Sequence, residues 1–129
     1  MIRTVVDAST VVAYLLGEAV PIEREALLGD PHAPAFLDIE VTQVLRSLTH
    51  AGQVDGERAQ IARAELRELT LRRHADASLL EGAWRLRDRC TTYDGMYVAL
   101  AQGLDATLIT RDARLARGAA EIVEIRTAA

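Results

Sequence analysis

Ile2-Arg3-Thr4-Val5-Val6-Asp7-Ala8-Ser9-Thr10-Val11-Val12-Ala13-Tyr14-Leu15-Leu16-Gly17 is the stretch that decides the fold. Ile2 to Val6 is rich in β-branched residues, which suit a pleated strand. The run stops at Asp7, and beyond it Val11, Val12, Leu15 and Leu16 recur at helical spacing. Ser9 is placed to cap that helix and Gly17 to end it. A strand feeding a helix in this way is the opening unit of an α/β layer structure.

The alternation continues outward from there. Pro21 starts a second helix carrying Ile22, Ala26 and Leu27, which Gly29-Asp30-Pro31 ends, and a loop leads on to Ala33-Pro34-Ala35-Phe36. Asp38 is placed to cap a helix with Val41, Val44, Leu45 and Leu48 on one face, stopping near Ala51-Gly52. Asp55-Gly56 opens another with Ile61, Ala62, Leu66 and Leu69, and Leu71 to His74 reads as a short extended piece. Ser78 and Glu81 form a capping-box pattern before a helix whose buried face is Leu79, Leu80, Ala83, Trp84 and Leu86, with Trp84 as a core anchor. Thr91 and Thr92 offer caps for a helix from Tyr93 to Gln102 that ends at Gly103, and Ala106 to Thr110 and Glu121 to Arg126 read as strands. The pattern predicts a three-layer α/β/α domain around a central, mostly parallel sheet, spanning residues 1–129 as one unit.

Composition narrows the function classes. No apolar run approaches the roughly 18 residues of a membrane span, and the N-terminus lacks a signal-peptide layout, so a soluble cytoplasmic protein is expected. Cys90 is the only cysteine and cannot form an internal disulfide; a buried structural thiol is its expected role. His32, His50 and His74 are scattered, with no partner that suggests metal binding or acid–base work. All 15 basic residues are arginine against 19 acids, a net charge of -4. Nucleic acid held by blanket charge neutralisation is thereby disfavoured, and RNA binding must rest on local arginines and on metal ions bridging acids to phosphate.

Four acids stand at junctions of this map: Asp7 at the end of the first strand, Glu40 and Asp94 each in the first turn of a helix, and Asp112 just past a strand. In an open α/β sheet the crevice beyond the carboxyl ends of the strands is where ligands bind, so residues distant in sequence can converge there. Two ionised carboxylates about 4 Å apart repel by about 4 kcal/mol at an effective dielectric near 20, so a cluster calls for a cation. Oxygen ligands without His or Cys select Mg²⁺ or Mn²⁺, and the chemistry this implies is hydrolysis of a phosphodiester. Taken singly, each acid is equally a cap or a surface charge.

Local strings go further. Val5-Val6-Asp7-Ala8-Ser9, Glu40-Val41-Thr42-Gln43-Val44-Leu45-Arg46, Tyr93-Asp94-Gly95-Met96-Tyr97-Val98-Ala99-Leu100-Ala101 and Leu108-Ile109-Thr110-Arg111-Asp112-Ala113-Arg114-Leu115 resemble, in order, four motifs of the PIN-domain ribonucleases. The resemblance covers nearly the whole chain and implies a PIN-like fold, an acidic pocket holding Mg²⁺ or Mn²⁺, and cleavage of RNA. It implies Asp7 and Asp94 as principal metal ligands, with Glu40 and Asp112 completing the catalytic pocket. Ser9 and Thr110 are placed to hydrogen-bond a carboxylate or a bound water, although a capping role serves Ser9 equally. Gln43 departs from the family, where many relatives carry Asn; the same amide sits on a longer arm. Arg111 and Arg114 are candidates for phosphate contact, while Arg114 and Arg117 equally suit a solvated helical face.

Short single-domain chains of this family resemble the VapC-type toxins of type II toxin-antitoxin systems. That likeness implies a homodimer and a cognate VapB-type antitoxin whose tail covers the pocket rim and directs an Arg or Lys at the acids. Val11 to Leu16 or Leu100 to Leu104 would supply the dimer surface unless they are core. The alternatives are a free-standing RNA-processing nuclease and a catalytically silent module that binds RNA or protein.

Overall fold

Five strands alternate with seven helices among residues 2–128, which the structure, a computed structural model, describes. In chain order they are β1 (Arg3–Val6), α1 (Ala8–Leu15), α2 (Pro21–Leu28), β2 (Asp30–Pro34), α3 (Leu37–His50), α4 (Gly56–Glu68), β3 (Arg72–His74), a 3-10 turn at Asp76–Leu79, α5 (Leu80–Arg85), α6 (Thr92–Leu104), β4 (Thr107–Thr110), α7 (Ala113–Ala119) and β5 (Ile125–Thr127). The strands form one sheet in the order β3-β2-β1-β4-β5, and every described pairing is parallel. This is the three-layer α/β/α arrangement. Val5 of β1 lies opposite His32 of β2 and Leu108 of β4. The chain winds outward from β1 in one direction through β2 and β3 and in the other through β4 and β5. A switch point therefore opens beside β1 and β4, where a parallel sheet leaves a crevice at its carboxyl edge.

The core follows from this layering. Val5 and Val6 of β1, Val11 and Leu15 of α1, Leu37 and Val41 of α3, Val98 of α6, and Leu108 and Ile109 of β4 are all sealed from solvent. The stretches 11–16 and 100–104 belong largely to that core, with Val11, Val12, Leu15, Leu100 and Ala101 buried, so they do not furnish a free subunit surface. Among the described residues no helix is long and apolar enough to cross a membrane.

Several local expectations are corrected. The segment expected as a loop after Gly29 is the strand β2, even though Pro31 and Pro34 each lack a ladder donor. Both prolines are buried, and pairing on each side holds the strand in place. The last strand is shorter than the predicted Glu121 to Arg126, because Glu121 takes a left-handed φ of 69° that precedes Ile125–Thr127. Helix α6 runs through Gly103 to Leu104 and ends on Asp105 at φ 51°. Asp7, not Ser9, caps α1, accepting the Thr10 N–H at 3.1 Å. Asp38 lies inside α3 and caps nothing; Asp76 Oδ1 instead accepts the N–H of Phe36 at the start of that helix, at 3.1 Å.

The predicted capping box at Ser78 and Glu81 is also absent, since Ser78 Oγ donates to the Ala75 carbonyl and α5 begins only at Leu80. Trp84 is no core anchor: it is 61% exposed, and Leu80 is exposed as well. The reason lies in how closely α5 meets α6. A Cβ on Gly82 would stand 2.8 Å from Ala99 Cβ, and one on Gly95 3.2 Å from Ala83 Cα, so small side chains face each other and the indole is left outside. Arg87 covers its ring, with the guanidinium carbon 4.7 Å from the centroid.

Candidate active site

The carboxyl ends of β1 and β4 carry Asp7 and, two residues past Thr110, Asp112. The first turns of α3 and α6 bring Glu40 and Asp94 toward the same edge. All four acids line one cleft of about 390 Å³, together with Tyr97 and Arg114. The convergence of residues so far apart in the chain comes directly from the switch in strand order.

Asp7 is the most enclosed of the four and the most constrained. Ser9 Oγ donates to its Oδ1 at 2.7 Å and Thr110 Oγ1 to its Oδ2 at 2.5 Å. Each hydroxyl in turn accepts a backbone N–H from the β4–α7 turn, Ser9 from Arg111 at 3.1 Å and Thr110 from Asp112 at 2.9 Å. Burial pushes the Asp7 carboxyl above its ordinary range, against the pull of these hydrogen bonds. Asp112 caps α7, accepting the N–H groups of Arg114 at 2.9 Å and Leu115 at 3.3 Å.

Glu40 receives the Tyr97 hydroxyl at 2.5 Å. Burial raises the proton affinity of Glu40, opposed by that hydrogen bond and reinforced by the charges of Asp7 and Asp94. Asp94 is likewise shifted upward, first by burial and then by Asp112 and Asp7, with Arg114 acting the other way. The Tyr97 hydroxyl is held protonated by its burial and by Glu40, so it serves as a donor throughout the ordinary pH range.

Arg114 bridges the acids from outside, Nε 3.2 Å from Asp94 Oδ2 and Nη2 3.6 Å from Asp112 Oδ2. The first contact is close but off-line: Asp94 Oδ2 is buried and has no hydrogen bond. Arg111 is not free for phosphate, as the sequence had suggested. Its Nε and Nη2 grip Glu23 Oε2 and Oε1 at 2.7 Å each, and Nη2 also reaches the Glu18 carbonyl at 3.0 Å. Glu23 is fully buried; burial opposes its charge, but Arg111 and the Val20 N–H outweigh this and hold the carboxyl below its ordinary range. Arg117 stands exposed in the last turn of α7.

Asp38 turns away and binds Arg73 through two bonds of 2.7 and 3.0 Å. Gln43 is exposed and bonds Ser47 at 3.4 Å along α3, outside the cleft lining. His32 and His74 are not isolated either: His32 Nδ1 is 2.8 Å from His74 Nε2, and His32 Nε2 is 3.1 Å from Asp30 Oδ1. Tyr97 and Glu23 are the site residues that motif reading missed. Tyr97 carried a signal, standing three residues after Asp94 on the same helical face; Glu23 carried none, because its partner lies 88 residues away.

The donor set is oxygen only. Among the described residues no three His, Cys, Asp or Glu side chains are gathered into a ready cage. A hard divalent cation that takes one or two carboxylates and keeps its waters fits this arrangement, with the unbonded Asp94 oxygen as the group still lacking a partner.

Comparison with known proteins identifies the family. The PIN domain family matches residues 4–121. Ribonuclease VapC1 of Mycobacterium tuberculosis is 40% identical over 120 residues, covering 90% of this chain and 90% of the relative. Ribonuclease VapC3 of the same organism is 37% identical over 122 residues, covering 89% and 86%. Among solved structures, PAE2754 from Pyrobaculum aerophilum superposes with a TM-score of 0.69 at 16% identity, covering 96% of this chain and 89% of that one. VapBC2 from Rickettsia felis, bound to a DNA fragment from their promoter, gives 0.68 at 12% identity, covering 98% of each. These two likenesses speak to the fold alone. The chain belongs to the PIN-domain family and, by its sequence relatives, to the VapC-type members of it.

Proposed function

We propose that this protein is a metal-dependent ribonuclease that hydrolyses RNA phosphodiester bonds, the toxin of a VapBC-type pair. The observation that carries the reading is the meeting of Asp7, Glu40, Asp94 and Asp112 in one cleft, with Asp7 and Asp94 both buried and burial raising the proton affinity of each. Asp7 and Asp94 would hold Mg²⁺, for which Mn²⁺ substitutes, and when bound the ion would neutralise charge on the scissile phosphate.

The chain's own groups do the rest. Ser9 and Thr110 fix both oxygens of Asp7 and, through the Arg111 and Asp112 amides, the position of the turn that carries Asp112. Glu40, with its raised proton affinity, accepts the proton of the water that attacks phosphorus. The bond from phosphorus to the leaving ribose oxygen breaks, and solvent returns a proton to that oxygen. Arg114 lies at the rim, able to exchange its hold on Asp94 for the incoming phosphate.

Partners follow from the family. The VapC ribonucleases named above and the VapBC2 structure support a cognate VapB-type antitoxin, whose cation would compete for the acids that Arg114 now faces. A homodimer in the cytoplasm is part of the same reading by likeness. The test is cleavage of a mixed RNA pool by the purified, partner-free chain with Mg²⁺ or Mn²⁺, with EDTA, and as Asp7→Asn and Asp94→Asn. Cation-dependent cleavage lost in both variants is expected; a folded, cation-loaded chain that cleaves no RNA would point to a binding module.

A further inference from the structure

The chain has few aromatic side chains, one Phe, one Trp and three Tyr, and three of those five form a ladder that leads outward from the acidic cleft. The Phe36 ring lies 5.4 Å from Tyr97 and 6.0 Å from Tyr93, tilted 55° to each. Its inner neighbour, Tyr97, is buried, lines the cleft and donates to Glu40. Its outer neighbour, Tyr93, is 65% exposed and immediately precedes Asp94. Phe36 itself is held by its backbone, with the Ala35 N–H on the His74 carbonyl at 2.8 Å and its own N–H on Asp76 at 3.1 Å.

We propose that Tyr93, backed by Phe36, is the stacking platform for one unpaired nucleobase of the RNA next to the scissile phosphate. This rests on the ribonuclease reading above. A phosphate drawn to Asp94 has its own nucleoside one sugar away, and Tyr93, the residue before Asp94, is the exposed outer ring of the stack whose inner ring lines the cleft. A chain of net charge -4 gains little from general attraction to a polyanion, so contacts indifferent to charge add to what Arg114 and the cation supply locally. Stacking on an aromatic face is such a contact and accepts every base. Tyr93 thus selects for single-stranded RNA, whose base faces are available, over a duplex, whose faces are not. Trp84, the other exposed large aromatic, has Arg87 over its ring and stands outside this ladder and the cleft lining.

The test uses the full chain with Mn²⁺ and a short single-stranded RNA that it cleaves, alongside the same RNA with an abasic nucleotide on either side of the cut. Tyr93→Ala is expected to raise KM about tenfold with kcat within about twofold, and Tyr93→Phe to restore KM. One abasic RNA should show the same loss with the unaltered chain and no further loss with Tyr93→Ala, since both remove the same contact. An unchanged KM, or losses that simply add, would overturn the platform while leaving the nuclease intact. Equal losses on intact and abasic RNA, with a change in oligomeric state by light scattering, would make this face a contact between copies and also overturn it. A 2-aminopurine-labelled RNA separates the two readings. Tyr93-dependent quenching without cleavage keeps the platform and removes the nuclease; neither quenching nor cleavage removes both.

Discussion

Replacing Arg111 by Met should cost the fold about 3 kcal/mol, and more than replacing its partner. Glu23 is fully buried, and its donors are two guanidinium N–H groups at 2.7 Å each and the Val20 N–H at 2.9 Å. Arg111→Met leaves a buried carboxylate with one neutral donor. Removing one partner of a buried ion pair costs about 3–5 kcal/mol, and the lower end applies because the Arg111 side chain is 33% exposed and admits some water. Glu23→Gln leaves the cation instead, which can reach solvent, so about 1–2 kcal/mol is expected. In urea titrations at pH 7 with EDTA, Arg111→Met should therefore lose more than Glu23→Gln, and the double variant should be more stable than Arg111→Met alone. The melting temperature of Arg111→Met should fall by about 10 °C. The pH dependence has a definite sign. The Glu23 carboxyl is held below its ordinary 4.5, so the pair's stabilisation is complete above that pH and is lost as pH falls through the folded value. In Arg111→Met the carboxyl shifts upward, so acidification relieves the variant and narrows its deficit. Equal losses in the two single variants would refute the reasoning, because the carboxylate left without its cation would then cost nothing beyond the ion pair that both variants lose.

Arg114→Gln should bind Mn²⁺ more tightly by up to about fivefold in calorimetry, a limit set by an exposed ion pair worth at most about 1 kcal/mol; unchanged affinity would mean the guanidinium does not compete with the cation. Asp94 binds a proton more readily folded than unfolded, so the cation-free protein loses stability as pH rises from 3.8 through the higher folded value. Asp94→Asn should accordingly melt above the unaltered chain at pH 7 in EDTA, the gap closing toward pH 4, and should gain nothing from Mn²⁺; a lower melting point at pH 7 contradicts this. His74 is held below 6.5 by burial, His32 and Arg72, so folding weakens as pH drops from 6.5 through the folded value. Melts of His74→Asn between pH 7 and 5 should lack that slope, and an unchanged slope would place the titration elsewhere.

What was legible in the sequence was what local spacing encodes. The β-branched run before Asp7, the helical period after it and the Thr91 cap before Asp94 each need only a few neighbouring residues to be read, and each stands in the structure as an element or a cap. Strand β2 was hidden because Pro31 and Pro34 signal a loop, while the burial that makes a strand of them comes from β1 and β3. Trp84 was misread because periodicity gives the side of a helix but not the clearance, which here is set by Gly82 of α5 against Ala99 and Gly95 of α6 against Ala83. The His32–His74 contact joins residues 42 apart in the chain, and Arg111 beside a motif acid looked like a phosphate ligand until Glu23 appeared behind it. Charge next to a motif marks neither partner nor direction.

The hydrogen bonds around Asp7 also decide which acid gives the cleaner test of the site. Both of its oxygens accept from hydroxyls, and those hydroxyls accept from consecutive amides of the turn that carries Asp112. An Asn there offers one acceptor and one N–H₂ in place of two acceptors, so either Ser9 or Thr110 must reverse its hydroxyl or lose its bond. The Asp7→Asn variant thus changes the charge and loosens the turn together, and lost cleavage would not separate the two. Asp94 Oδ2 accepts no hydrogen bond, so an amide placed there breaks none of this chain of contacts. If Asp94→Asn abolishes cleavage while raising the cation-free melting point, the loss belongs to the charge itself, and the acids are together because a cation is meant to join them.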